Sequence, residues 1–269
     1  MKFIFLAFIL SLPFLNAREP ISLFDGKSLE HWEGDPKIWR IEDKAITASI
    51  PAGKNLAKNQ FLYWKEKVAD FDLSLDYRIT GGPTANSGIQ IRSKKDASGH
   101  AAGYQCDLDH GKLWLGRIYD EHGRGLIAER GALTKISPDG KNHVLPFSDP
   151  ASLTRFAITN DWNHYLIKCR GNRIEIHING IHFTTLEDYQ QNHADLSGLL
   201  AVQIHSGVGP AKVQFRDITL TPFDQKKTTF AKKASPGIVP VDAPNIGFEK
   251  GNYDGWTQTG TVWNPIFGA

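Results

Sequence analysis

Apolar and polar residues alternate along several stretches of this chain between positions 71 and 220. Residues 71–79 read Phe-Asp-Leu-Ser-Leu-Asp-Tyr-Arg-Ile, with an apolar side chain at every odd position. Such an alternation is typical of a β-strand that buries one face and leaves the other in water. The same pattern predicts strands at residues 89–92, 104–109, 173–178, 200–205 and 212–220.

Turn signals separate these stretches. Asn179-Gly180 stands between two of them and predicts a type I′ hairpin, because this turn requires a positive φ at both central residues. No segment of convincing length shows helical periodicity. The pattern therefore predicts an all-β fold, an antiparallel two-sheet β-sandwich or jelly roll.

The two ends of the chain differ from this central part. Residues 1–17 carry one Lys, an apolar run and a small residue at Ala17, which predicts a cleaved signal peptide. The apolar run is too short for a lasting membrane anchor. We therefore expect a secreted or periplasmic protein with no transmembrane anchor.

The main domain is predicted over residues 18–222, followed by a linker at 223–244 that is rich in Lys and Pro. Residues 245–269 resemble the opening of a second β-sandwich module, but they are too few to complete one. They are either the start of such a module or a tail that docks on the main domain.

Composition excludes some functions. The chain has 31 basic and 29 acidic residues, a balance that does not favour nucleic acid as a partner. Its only cysteines, Cys106 and Cys169, occupy inward-pointing positions of predicted strands. They form either a disulfide or two buried free thiols, and we favour the thiols.

Polar residues two apart on a strand point to one side, and three such rows occur here. The rows are Gln90 with Arg92, Gln105 with Asp107 and Asp109, and Gln203 with His205. These side chains offer paired donors and acceptors that suit sugar hydroxyls. The alternative is an ordinary solvated sheet face.

Ionisable groups also crowd a glycine-rich segment at residues 114–131. Glycines there let several side chains converge on one site. A solvated hairpin tip held by ion pairs is the alternative. The candidates in this segment are Tyr119, Glu121, His122, Arg124 and Glu129. No tight ligand spacing appears among the acidic and histidine residues, so we expect no catalytic metal.

At these positions the sequence resembles the 3-keto-disaccharide hydrolase family, whose domain has a concanavalin A-like fold. The resemblance rests on ordered fragments that span most of the main domain. They include Asn-Ser-Gly-Ile-Gln-Ile-Arg at 86–92, Gly-Tyr-Gln-Cys-Asp at 103–107 and Tyr-Asp-Glu-His-Gly-Arg-Gly at 119–125.

The resemblance implies an enzyme that cleaves glycosides oxidised to a ketone at C3, supplied by a separate sugar 3-oxidoreductase. The ketone acidifies the C2 hydrogen, so a base removes it, the C1 group leaves and water adds back. We expect His122 or His205 as the base and Asp107 or Glu121 as the acid.

Arg92 and Gln105 are the expected donors to the enolate oxygen. The remaining expected substrate-binding residues are Gln90, Asp109, Tyr119, Arg124, Glu129 and Gln203. No cofactor is expected for catalysis. A structural calcium is an open alternative, with Asp25 and Asp217 as candidate ligands.

Two rival functions remain. One is ordinary glycoside hydrolysis by a carboxylate pair such as Asp107 and Glu121. The other is a lectin-like carbohydrate-binding module without catalysis, in which Trp114 is the sugar platform.

Overall fold

The computed structural model describes residues 17–224, which fold into seventeen strands and one short helical segment. In chain order the elements are β1 (Ile21–Ser22), β2 (Trp32–Glu33), β3 (Arg40–Glu42), β4 (Ala45–Ile50), β5 (Gln60–Val68), β6 (Phe71–Gly81), β7 (Asn86–Lys95), β8 (Ala101–Asp109), β9 (Ile118–Glu121), β10 (Gly125–Ala128), β11 (Ala132–Ile136), β12 (Asn142–Pro146), α1 (Pro150–Leu153) with a 3₁₀ turn at Thr154–Phe156, β13 (Asn163–Arg170), β14 (Arg173–Ile178), β15 (Ile181–Asp188), β16 (Gly198–Ile204) and β17 (Ala211–Pro222).

The strands form two sheets. Sheet 1 has ten strands in the order β12-β11-β15-β14-β13-β6-β17-β4-β3, with β1 pairing β17, and sheet 2 has seven in the order β10-β9-β8-β7-β16-β5-β2. Among these pairs, β11 and β15 run parallel and the rest are antiparallel. The predicted all-β, two-sheet antiparallel sandwich is confirmed.

The core lies between the sheets. On β6 the residues Phe71, Leu73, Leu75, Tyr77 and Ile79 are buried, while the residues between them are partly exposed. This alternation confirms the strand predicted there. Burial of such apolar side chains contributes roughly 1.5–3 kcal/mol each relative to exposure, so the interface between the sheets carries much of the stability.

The predicted hairpin is also present. Ile178 pairs with Ile181, and the two residues between them, Asn179 and Gly180, have φ of 49° and 79°. Both values lie in the left-handed region that a type I′ turn requires. Cys106 and Cys169 are both free and buried, as favoured from the sequence.

Some predicted segments lie outside the described residues. These are the signal peptide up to residue 16, the linker beyond Asp224 and the C-terminal segment 245–269. Within residues 17–224, no helix is long and apolar enough to cross a membrane.

Candidate active site

A cleft of about 420 Å³ opens on sheet 2. Its walls come from β8, from β9 and the turn that follows it, from the start of β7 and from the residue after β16. The lining residues are Asn86, Gln105, Asp107, Trp114, Tyr119, Asp120, Glu121, His122, Gly123, Gly125 and His205. All four residues predicted as catalytic are in this set.

Asp107 forms part of the floor. It is only 3% exposed, and its Oδ1 accepts a hydrogen bond of 2.8 Å from Gln105 Nε2. Its Oδ2 is buried and has no hydrogen-bond partner among the described residues. Burial raises the pKa of Asp107 to about 8, while the hydrogen bond from Gln105 lowers it. At neutral pH this carboxyl group is therefore mostly protonated and can donate a proton.

A network of side-chain amides lies beneath Asp107. Gln90 Nε2 and Gln203 Nε2 each donate to Gln105 Oε1 at 2.8 Å, and Ser93 Oγ donates to Gln90 Oε1 at 2.7 Å. Gln90 and Gln203 are fully buried and do not line the cleft, whereas Gln105 does. Two of the predicted substrate-binding glutamines thus hold the residue that orients Asp107.

Gly88 makes room for this network. It pairs with Asp107 across β7 and β8, and a Cβ atom built on it would lie 2.5 Å from Gln105 Cδ. Real Cβ atoms do not approach other carbons this closely. The glycine is therefore needed for the Gln105 side chain to lie flat across β7.

His205 stands at the opposite side of the cleft from the β9–β10 turn. Its Nδ1 lies 2.5 Å from the carbonyl oxygen of Ser206. A carbonyl only accepts, so Nδ1 carries the proton and the neutral ring keeps its lone pair on Nε2. Asn59 Oδ1 holds Ser206 by accepting from its backbone N at 2.9 Å. His205 is thereby oriented as a base.

A second histidine group lies at the β9–β10 turn. His100 Nε2 is 3.0 Å from Glu121 Oε1, and the rings of His100 and His122 stack with centroids 4.0 Å apart and planes 7° apart. His122 is exposed and has a positive φ of 53°, the left-handed conformation of a tight turn. This conformation turns the ring back over His100.

Aromatic residues form another wall. The rings of Trp114 and Tyr119 meet edge to face with centroids 6.1 Å apart. Arg117 packs over Trp114 at 5.1 Å and pairs with Glu129 at 2.7 Å. Tyr119 thus lines the cleft as predicted, whereas Glu129 supports the wall from behind through Arg117.

Arg92 lies away from the cleft. Its three guanidinium nitrogens contact Ala69 O at 2.7 Å, Gly171 O at 2.6 Å and Asp70 Oδ1 at 2.9 Å. The cause is a bulge in β7, where Arg92 has a φ of 49° and the register with β8 shifts. Ser93 instead takes the place beside Gln90. Arg92 joins β7 to the β5–β6 connection between the sheets and to the β13–β14 turn of sheet 1.

Two further predicted residues have structural contacts. Asp109 accepts from the backbone N of Gly111 and of Trp114, at 3.1 and 2.8 Å, and so shapes the loop after β8. Arg124 pairs with Asp120 at 2.6 Å and with Asp188 at 2.7 Å. Arg124 therefore anchors the turn that carries His122 to the end of β15.

The candidate calcium ligands also lie apart from the cleft. Asp25 Oδ1 accepts from the backbone N of Lys27 and Ser28, both at 2.8 Å. Asp217 is exposed and lies 3.3 Å from Arg216. Asp25 thus holds a surface turn, whereas Asp217 lies within β17 where its register with β6 shifts.

A family model described as the 3-keto-alpha-glucoside-1,2-lyase-like domain matches residues 19–221. The chain belongs to this family. The family resemblance found in the sequence fragments is confirmed, and the family associates the domain with carbohydrate chemistry. No curated protein matches the chain closely enough to count as a relative.

Solved structures agree with the fold of this family member. Two candidate glycosyl hydrolases from Parabacteroides distasonis share 19% and 17% identity with it, each with a TM-score of 0.51. The alignments cover 76% of this chain and 98% and 94% of theirs. A Bacillus subtilis protein with a galectin-like fold has a TM-score of 0.51 at 10% identity, covering 78% of this chain and 97% of its own.

Sequence reasoning missed Asn86 and Asp120, which line the cleft, and His100, which lies outside the lining but contacts Glu121. Asn86 lies before the strand predicted at residues 89–92, and it is the first residue of β7. His100 precedes β8 and was not singled out at all. The pairing of Gly103 with Glu121 brings the start of β8 beside the end of β9, which places His100 next to Glu121. Knowledge of this strand register was the signal needed to find it.

Proposed function

We propose that this protein cleaves the glycosidic bond of 3-keto-glycosides, including 3-keto-disaccharides, by elimination followed by hydration. One observation carries the proposal. The same cleft holds a buried carboxylic acid, Asp107, and an imidazole oriented as a base, His205. Family membership supports a substrate with a ketone at C3.

The first step uses His205. The C3 ketone lowers the pKa of the C2 hydrogen, and Nε2 of His205 accepts that proton as the enolate forms. The Nδ1–H group keeps donating its hydrogen bond to the Ser206 carbonyl oxygen, which helps the ring carry the positive charge that it gains. His205 therefore serves as the general base.

The second step uses Asp107. The electron pair of the enolate forms the C1–C2 double bond, and the bond between C1 and the leaving oxygen breaks. Asp107, which lines the cleft, donates its proton to that oxygen. Water then adds hydroxyl to C1 and a proton to C2, which completes a net hydrolysis.

The aromatic wall fits a sugar substrate. Trp114 and Tyr119 present ring surface to the cleft, and sugar rings pack on such surfaces through their C–H groups. This wall also favours the second candidate function, a lectin-like binding module without turnover. The two functions differ in whether the bound glycoside is consumed.

The substrate requires an earlier oxidation. A glycoside gains its C3 ketone only from an oxidising reaction, so this activity belongs downstream of a sugar 3-oxidoreductase. The predicted signal peptide adds the proposal that the chain acts outside the cytoplasm.

The test compares a 3-keto-glucoside with its unoxidised parent and follows release of the aglycone. We expect cleavage of the keto form only, and a loss of about 10²–10⁴-fold in kcat for Asp107→Asn and for His205→Ala. His143→Ala is the control, since His143 is exposed on β12 in the other sheet.

Deuterated water tests the route. Elimination and hydration place deuterium at C2 of the product, whereas direct displacement at C1 does not. Cleavage of both glucosides would instead favour a carboxylate-pair hydrolase. Tight binding without release of aglycone would favour the binding module.

A further inference from the structure

The group at the β9–β10 turn has the composition of a metal site. The ligand atoms of His100, Glu121 and His122 all lie within 4.8 Å of one another. We propose that these three residues bind one divalent transition-metal cation of the zinc type, which keeps an open coordination position toward the cleft. Two imidazoles, one carboxylate and an open position are typical of catalytic rather than structural sites.

The spacing of two ligands already suits an ion. Two ligand atoms that each bind a tetrahedral Zn²⁺ at about 2.1 Å lie roughly 3.4 Å apart. His100 Nε2 and Glu121 Oε1 lie 3.0 Å apart. A small increase in the distance between these two atoms lets the ion replace their direct hydrogen bond.

The third ligand needs a rotation. A metal lies in the plane of the imidazole that binds it, and the stacked ring of His122 is parallel to that of His100. His122 is exposed, on a turn with Gly123 behind it, so rotation about its side-chain bonds meets little resistance. His100 is better fixed, with its ring packed edge-on against Phe61 at 5.1 Å.

The charge of the cleft favours a cation. Its lining contains no Lys or Arg and three carboxyl groups, those of Asp107, Asp120 and Glu121, of which Asp107 is mostly protonated at neutral pH. Arg124 neutralises Asp120 from outside the lining. Glu121 has no described Arg or Lys partner and pairs with His100. A bound cation compensates this negative charge.

The ion would stabilise the enolate oxygen, a role that the sequence had assigned to side chains that are engaged elsewhere. This role rests on the proposed function, in which an enolate forms at the C3 oxygen of the substrate. The sequence assigned its stabilisation to Arg92 and Gln105. The nitrogens of Arg92 are instead bonded to Ala69, Asp70 and Gly171, and Nε2 of Gln105 donates to Asp107. A cation at the His100 group would hold the C3 oxygen and stabilise its developing charge, with no redox change.

Metal binding can be measured without substrate. The full chain is treated with chelator and dialysed, then titrated with Zn²⁺ and with Co²⁺ by calorimetry, and the visible absorption of Co²⁺ reports its coordination. We expect one equivalent bound. His100→Ala, His122→Ala and Glu121→Gln should each weaken binding more than about 100-fold, since loss of even an outer partner costs ten- to hundredfold.

His110→Ala and His143→Ala are the matched controls, because neither residue belongs to the group of His100, Glu121 and His122. They should bind metal as the parent does. Circular dichroism identifies any variant that fails to fold. His122→Ala should fold as the parent does, because His122 is exposed. No binding by the parent protein, or equal binding by the His122 variant, would overturn the metal site.

The outcomes separate the two proposals. A metal-binding protein that leaves 3-keto-glucosides intact keeps the site and loses the proposed function. A protein that cleaves 3-keto-glucosides in chelator at an undiminished rate keeps the function and loses the catalytic role of the ion, while the binding measurement alone decides whether the site exists. Restoration of activity by Zn²⁺ or Co²⁺ to the parent, but not to His122→Ala, supports both.

Discussion

Asp107→Asn tests the central claim that a buried carboxyl group is held protonated at the floor of the cleft. Asn has nearly the same shape, and its Oδ1 can still accept from Gln105. It cannot ionise. The substitution therefore removes the cost of charging this site while it retains the packing and the hydrogen bond.

The magnitude follows from the pKa. Burial raises the pKa of Asp107 from an ordinary 3.8 to about 8, with smaller upward effects of Glu121 and Asp109 and a downward effect of Arg117. Between these values the folded state holds a proton that the unfolded state has released, so the free energy of unfolding falls as pH rises through this window. The full difference corresponds to about 6 kcal/mol above pH 8.

The assay is urea denaturation followed by tryptophan fluorescence, in chelator so that no bound cation alters the charge. Asp107→Asn should become more stable relative to the parent by about 4 kcal/mol between pH 5 and pH 9. Groups common to both proteins cancel in this comparison. A stability difference that stays constant with pH within about 1 kcal/mol would refute the raised pKa.

Three other substitutions test placements in the structure. Arg92→Met should lower the free energy of unfolding by about 3–5 kcal/mol with kcat unchanged, and a loss of kcat at full stability would contradict its structural placement. Gly88→Ala should lower the free energy of unfolding by about 1–3 kcal/mol and the activity at least tenfold, because the new Cβ atom displaces Gln105. Gly82→Ala is its control and should change neither, since its Cβ atom would lie 3.7 Å from Pro210. Equal activities of the two variants would contradict the role of the amide network. Tyr104→Phe should lower the free energy of unfolding by about 1–3 kcal/mol, because the Tyr104 hydroxyl donates to buried Asp188 at 2.5 Å. An unchanged midpoint in thermal or urea unfolding would show that this hydrogen bond does not stabilise the fold.

Several strands were predictable because burial of one face requires an apolar side chain at every second residue. β6 shows this in Phe71 to Ile79, and the Asn179-Gly180 hairpin follows from the backbone conformation that its turn demands. Both signals are local. The shorter strands β9 to β12 carry too few residues for an alternation to stand out, and they were not predicted individually.

The site was only partly predictable because its assembly is not local. Arg92 shares a row with Gln90 in the alternation, yet the bulge in β7 turns it to the other sheet. An alternation of apolar and polar residues does not reveal where a single residue with a positive φ interrupts the strand. Asp109, Arg124 and Glu129 lie in a dense polar segment, and density alone does not separate residues that face a cleft from those that support it.

Asp107, Glu121, His122 and His205 were predicted from the sequence and do line the cleft, because each is at or near a strand position that faces outward from sheet 2. His100 was out of reach for this reasoning. It joins them through the register between β8 and β9, which depends on long-range pairing rather than on the residues around it.

The order of strands in sheet 2 divides the cleft into two halves with different tolerance to evolutionary change. Asp107 and its amide network lie on β8, β7 and β16, which have neighbours on both sides, while His122 lies on the turn to edge strand β10. Substitutions and insertions in an edge turn disturb few partners. Related chains can therefore differ at this turn while they retain the packing and the amide network around Asp107.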